Sequence, residues 1–162
     1  MPDESIDQLY RCHAPAVFRR ALKLLGTRAD AHEVVQELFL GLFERPEQYA
    51  GKSSITTFLY AATTHACINR LRNHRNRQRL LEQQMDGATV EPARQLSPEQ
   101  ALLLRRSLST MPDELARVLV YHCVDGMSHQ EIAGLLACSR RHVGNLLERA
   151  NEWSRGEETE TC

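Results

Sequence analysis

The residues predict an all-α chain built as two small helical domains joined by a flexible linker. Three observations predict it. Apolar residues recur at steps of three and four along nearly the whole sequence, while β-branched residues are sparse and no run alternates as a half-buried strand would. The stretch 83–97, QQMDGATVEPARQLS, has no periodicity and holds Gly, Pro and polar residues, which marks a connection. A length of 162 residues accommodates one compact domain or two small ones.

The spacing places helices at about 6–25, 29–44, 55–82, 98–109, 113–124, 129–136 and 140–153. Gly26 ends the first, because glycine readily takes the left-handed conformation that closes a helix. Arg45 to Ser54, with Pro46 and Gly51, is a loop. Ser97-Pro98-Glu99-Gln100 restarts helix: Ser97 caps, Pro98 occupies the first position, where its missing N–H is not needed, and Gln100 closes the box. The expected divisions are a domain at 1–82, the linker 83–97, a second domain at 98–153, and an acidic tail at 154–162. The tail, with Glu157, Glu158 and Glu160, is expected to be disordered.

The segment Ser128 to Asn151 carries the clearest signal. Ser128 and Glu131 form a capping box, and Ile132, Leu135 and Leu136 give the following helix one apolar face. After a turn at Ala137-Cys138, Ser139 caps a second helix on which Val143, Leu146, Leu147 and Ala150 recur at i, i+3, i+4 and i+7. Ala133 is small where the helices would cross. The apolar spacing suits a plain helical hairpin equally well. The caps, the turn and an outer face with Arg141, His142, Asn145 and Arg149 favour a helix-turn-helix whose donors reach phosphates and base edges.

Charge is informative only in its distribution. The chain holds 20 Lys and Arg against 21 Asp and Glu, yet residues 1–81 sum to +4 and residues 82–162 to −5. Arg70, Arg72, Arg75, Arg77 and Arg79 crowd one stretch, a local electrostatic footprint. On the second helix, Val34, Val35, Leu38, Phe39 and Leu42 share a broad arc, and Gln36, Glu37 and Glu44 the opposite one. Leu40 falls inside that polar arc, beside Glu33. It reads either as a single exposed leucine or as an apolar anchor with a polar rim.

Other classes find little support. The five cysteines (12, 67, 123, 138 and 162) are odd in number and lack CxxC pairing, so reduced thiols in a cytoplasmic protein are expected. No signal peptide and no apolar run of bilayer-spanning length is read, so no membrane partner is expected. No Gly-rich phosphate loop, HExxH or GxSxG occurs; no enzyme, catalytic residue, cofactor or metal site is expected.

From about Leu9 to Ala150 the chain resembles the bacterial extracytoplasmic-function sigma factors, the minimal two-domain form of the RNA polymerase specificity subunit within the sigma-70 family. Asp30-Ala31-His32-Glu33-Val34-Val35-Gln36-Glu37-Leu38-Phe39 is similar to the family's D-A-x-D/E-x-V-Q-E-x-F signature. Ser53-Ser54-Ile55-Thr56-Thr57-Phe58-Leu59-Tyr60 resembles its promoter-opening segment, and the helix-turn-helix falls where the family reads the upstream element. The resemblance implies a region 2-like first domain and a region 4-like second domain.

The resemblance also implies roles. Asp30, Glu33, Gln36, Glu37 and Leu40 would face core RNA polymerase, at the β′ clamp, with the β subunit as a further contact. Ser53, Ser54, Thr56, Thr57, Tyr60, His65, Asn69, Arg70, Arg72, Arg75 and Arg77 would engage the −10 element, where strand opening needs base pockets, aromatics and cations. Phe58 reads more readily as core. Ser139, Arg140, Arg141, His142, Asn145 and Arg149 would contact the −35 element. An anti-sigma factor is a partner the family generally implies, and Cys-rich metal-responsive tails occur in some relatives. The sequence departs from the family at His65, where many members have Asn, and at Asn69, where they have Asp. Gly144 and Leu146 stand where Lys or Arg is frequent, and Glu148 lies on the outer face. The promoter sequence therefore does not carry over. A linker of about 15 residues reaches roughly 50 Å extended, more than a turn of duplex DNA at about 34 Å, so the two domains could engage separate elements. The alternative is a stand-alone helix-turn-helix regulator that binds duplex DNA without polymerase.

Overall fold

The computed structural model of the chain describes residues 6–81 and 96–159. Residues 83–95 of the expected linker and 160–162 of the tail, including Cys162, lie outside the described residues. Helices run at Ile6–Leu25 (α1), Arg28–Glu44 (α2), Ile55–Leu81 (α3), Pro98–Thr110 (α4), Asp113–Leu119 (α5), His129–Leu136 (α6) and Arg140–Thr159 (α7). A 3₁₀ turn, Pro46–Gln48, follows α2, and no strand occurs among the described residues.

The chain divides into two compact units, the first ending at Arg105 and the second beginning at Arg106, so the division falls inside α4. In the first unit α1, α2 and α3 pack on one another around Leu9, Val17, Val35, Phe39, Leu42 and Leu59. Each buried leucine or phenylalanine stabilises by about 1.5–3 kcal/mol, so this cluster dominates the unit. Gly26 does end α1, at φ 81°, with its N–H donating to Leu22 O at 2.8 Å. Arg105 serves the same helix end: its buried Nε donates to Leu24 O at 2.9 Å, satisfying a terminal carbonyl that has no helical partner.

In the second unit the predicted apolar face of α7 is buried throughout: Val143, Leu146, Leu147 and Ala150 meet α5 and α6, with Ile132 and Ala133 also buried. Both ends of the capping box form. Glu131 N donates to Ser128 Oγ at 3.3 Å and Ser128 N to Glu131 Oε2 at 2.7 Å. The Ser97–Gln100 box at the start of α4 forms likewise, at 3.0 and 3.1 Å.

Two boundaries differ from those expected. The helix expected at 113–124 stops as α-helix at Leu119 and passes into a π-helical turn, Val120–Val124, where Asp125 N donates to Val120 O at 3.1 Å. Widening the turn by one residue buries Tyr121 and Val124 and leaves His122 and Cys123 exposed. The last helix, expected to stop at 153, continues to Thr159, so residues 154–159 of the expected disordered tail are helical. Ser154 Oγ donates to Ala150 O at 3.1 Å there. The breaker Gly156 is tolerated at about 1 kcal/mol.

Candidate functional site

Three features converge on α2 and α3. The first is the outer face of α2. Thr27 caps the helix, its Oγ1 accepting from Asp30 N and donating to Asp30 Oδ2 at 2.5 Å. Asp30, Glu33 and Glu37 then follow at i, i+3 and i+7, one stripe on the surface. Leu40 is 55% exposed, in accord with its place in the polar arc. Phe43, one turn further on, is 65% exposed and was missed. On the helical wheel Phe43 falls at the border between the apolar and polar arcs, so periodicity alone did not mark it as exposed.

The second feature is an ion cluster that ties this stripe to α3. Arg70 Nη1 bonds Asp30 at 3.3 Å and also pairs with Glu33, while Nη2 bonds Glu37 at 2.6 Å. His74 Nε2 lies 2.9 Å from the same Asp30 oxygen. Burial works against the Asp30 carboxylate, but the hydrogen bonds from Thr27 and His74 and the neighbouring Arg70 outweigh it and hold its pKa below the usual value. Burial likewise opposes the Arg70 cation, and the Glu33 and Glu37 carboxylates more than restore it. Arg70, expected among the promoter-facing cations, is thus joined instead to the residues expected to face polymerase.

The third feature is a groove of about 550 Å³ between α2 and α3. Expected promoter residues His65, Asn69 and Arg77 line it together with Glu33, Glu37 and Arg70. The other expected promoter residues are distributed along the start of α3 and beyond. Ser54 is the N-cap of α3: its Oγ accepts from Thr57 N at 3.1 Å and lies 2.9 Å from Thr57 Oγ1. Ser53 accepts at its carbonyl from Tyr49 OH at 2.6 Å, and Thr56 is exposed. Tyr60 is half-buried with the Arg20 guanidinium 3.6 Å from its ring centroid. Phe58 packs against the core cluster and edge-on to Tyr49, in accord with its reading as core. Arg72 and Arg75 are half-exposed.

In the second unit Ser139 Oγ caps α7 by accepting from His142 N at 3.1 Å. Arg140, Arg141, His142, Asn145 and Arg149 are all exposed, and all but Arg140 lie on the side away from Val143 and Leu147. His142 Nε2 lies 3.4 Å from Glu114. Among the described residues no carboxylate pairs with Arg140, Arg141 or Arg149. Ala137, in the turn, is the one described non-glycine residue with positive φ, at 51°.

The described residues bring together no group of three or more His, Cys, Asp or Glu fit to hold a metal. No described helix is long and apolar enough to cross a membrane. Cys67 is buried, which pushes its thiol up to about 12 and leaves it unreactive.

The sigma-70 region 2 family model matches residues 9–77, and the sigma-70 region 4 model matches residues 101–152. The chain belongs to the sigma-70 family, among its extracytoplasmic-function members. It is 28% identical over 156 residues to "ECF RNA polymerase sigma factor SigE" of Mycolicibacterium smegmatis, covering 91% of this chain and 59% of that protein. It is equally 28% identical over 154 residues to "RNA polymerase sigma factor YlaC" of Bacillus subtilis, covering 91% and 88%. A solved structure of the sigma factor RpoE with the anti-sigma factor NepR from Bartonella quintana has the same fold, with a TM-score of 0.53 at 14% identity over 93% of this chain and 94% of that one. The two matched regions lie in family order, region 2 on α1–α3 and region 4 on the helix-turn-helix unit.

Proposed function

We propose that this extracytoplasmic-function sigma factor binds core RNA polymerase through α2, opens the −10 element through the loop and helix around 49–77, and reads the −35 element through α7. The observation that carries the reading is the exposed pair Leu40 and Phe43 on the helix of the acidic stripe, on a chain whose other unit presents exposed arginines with no carboxylate partner among the described residues. An apolar anchor within a charged rim suits a protein partner. Unpaired arginines on the recognition helix suit phosphates and base edges. Residues 1–82 form the region 2 domain, 83–97 the connection and 98–153 the region 4 domain. The chain acts in the cytoplasm, where the polymerase is, and supplies no catalytic group of its own. An anti-sigma partner is part of this reading, because the RpoE of Bartonella quintana was solved with one.

The test is transcription by purified bacterial core polymerase on a randomised promoter library, with and without the chain. Transcripts starting at a fixed distance from a recovered two-part motif are expected. Absence of stimulation, with the chain alone shifting duplex DNA, would establish a stand-alone regulator instead. Leu40→Asp should weaken core binding by roughly 30-fold or more, the scale of a central interface residue. Helix content should stay unchanged, as the side chain is outside the core.

A further inference from the structure

The site geometry and the charge pattern disagree about Arg70. Sequence proximity groups it with Arg72, Arg75 and Arg77, whereas the structure encloses its guanidinium among three carboxylates of α2. Its side chain is 15% exposed and that of Asp30 19%, while Glu33 and Glu37 are 59% and 63% exposed. The cluster therefore has an enclosed end, where Asp30 anchors Arg70, and an open end, where two glutamates point outward.

Stability does not account for the open end. Ion pairs to carboxylates this exposed contribute little to folding. They do determine arrangement. Asp30, Glu33 and Glu37 share one helical stripe and repel one another. Arg70, reaching across from α3, offsets that repulsion and restricts two otherwise free side chains. A carboxylate accepts at about four lone-pair sites, so each glutamate bonded to Arg70 keeps accepting capacity toward solvent. Beside them stand Leu40 and Phe43.

We propose that Arg70 is a positioning residue of the polymerase-docking face and not a promoter contact: it holds Glu33 and Glu37 ready for cationic side chains of the polymerase. The proposal rests on α2 being the docking face. Ordering two flexible side chains in advance spares that ordering at association. Losing it weakens binding on the order of 10-fold.

The experiment is a double-mutant cycle on core polymerase affinity, with the full-length chain, between Arg70→Ala and the pair Glu33→Gln, Glu37→Gln. Leu40→Asp runs beside it. Arg70→Ala is expected to weaken core binding about 10-fold in the native background and to have no further effect once both glutamates are neutral. A merely structural arginine would lose the same amount in both backgrounds, and that result would overturn the proposal. So would unchanged core affinity combined with a promoter-binding salt slope reduced by about one, the mark of a lost phosphate contact. Should Arg70→Ala unfold because Asp30 loses its arginine partner, Arg70→Leu with Asp30→Asn removes the enclosed charges together and still releases the glutamates; the same cycle then applies. If Leu40→Asp leaves core binding intact, α2 is not the docking face and the proposal falls with that reading. Loss with Leu40→Asp but not with Arg70→Ala overturns the positioning role alone.

Discussion

Two faces of the molecule, the α2–α3 face of the first unit and the outer face of α7 in the second, handle charge in opposite ways. In the first, Arg70 is enclosed by Asp30, Glu33 and Glu37, and Arg20 lies over the Tyr60 ring and donates to Thr64 Oγ1 at 2.7 Å. In the second, Arg140, Arg141 and Arg149 stand exposed on α7 with no carboxylate partner among the described residues. Under the proposed function, each arrangement suits what its surface would meet. A protein partner is matched by side chains already held in one arrangement, which limits the entropy lost at docking. A nucleic-acid partner supplies the anions itself, so cations left free bind by releasing counterions. The α2–α3 face accordingly organises its charge, and the outer face of α7 leaves it available.

That comparison can be broken or sharpened by mutation. The largest effect is expected from the core beneath the free cations. Ile132 is fully buried in the helix-turn-helix, and Ile132→Ala should destabilise the second unit by about 2–5 kcal/mol. Thermal unfolding would register this as an earlier transition, and core polymerase affinity should stay unchanged if α2 carries it as proposed.

Arg141→Ala should weaken upstream-element binding by about 1–3 kcal/mol and relax the preference at one base pair, if the guanidinium makes a bidentate base contact. Equal losses on all sequences, with a shallower salt dependence, would class Arg141 as a phosphate contact. Either result keeps the contrast with Arg70; no effect in the promoter complex would erase it.

The enclosed charge should also respond to acid. The Asp30 pKa is lowered in the folded chain, so its contribution is present above the ordinary carboxylate value near 3.8 and is lost as pH falls below it. Unfolding monitored between pH 6 and 3 should show the first unit weakening at the acid end. Asp30→Asn should flatten that part of the profile; an unaltered profile would mean the cluster contributes nothing to folding.

The smallest effect concerns the turn. Ala137 has φ 51° and ψ 45°, a left-handed conformation that disfavours a β-carbon. Ala137→Gly relieves it and should stabilise the second unit by roughly 0.5–1 kcal/mol. A fall in the melting temperature would show that chain entropy outweighs the strain.

Much of this was legible in the residues because it is local. The capping boxes at Ser128 and Ser97, the glycine end of α1, and the buried face at Val143, Leu146, Leu147 and Ala150 each depend on neighbours within a few positions. Leu40 was placed on the outer face by helical periodicity alone, whereas Phe43 falls at the border of the apolar arc and only the structure shows it exposed. The order of the two family regions was also present in linear motifs, and the family matches bear it out.

Other features needed the tertiary structure. Arg70 is 40 residues from Asp30 in sequence, and nothing in its run of arginines distinguishes it from Arg72 or Arg77; only the packing of α2 on α3 selects it. The π-helical turn at Val120–Val124 sets which of four adjacent residues face the core. Ser54, read as a base-pocket hydroxyl, caps α3 because the loop delivers it to the orphan N–H of Thr57. The sequence by itself determined the helices, their caps and their apolar faces, since these follow from interactions between residues one or two turns apart. Which charges are spent inside the protein and which remain for a partner was decided by the tertiary structure, because an ion pair depends on where two helices bring distant side chains.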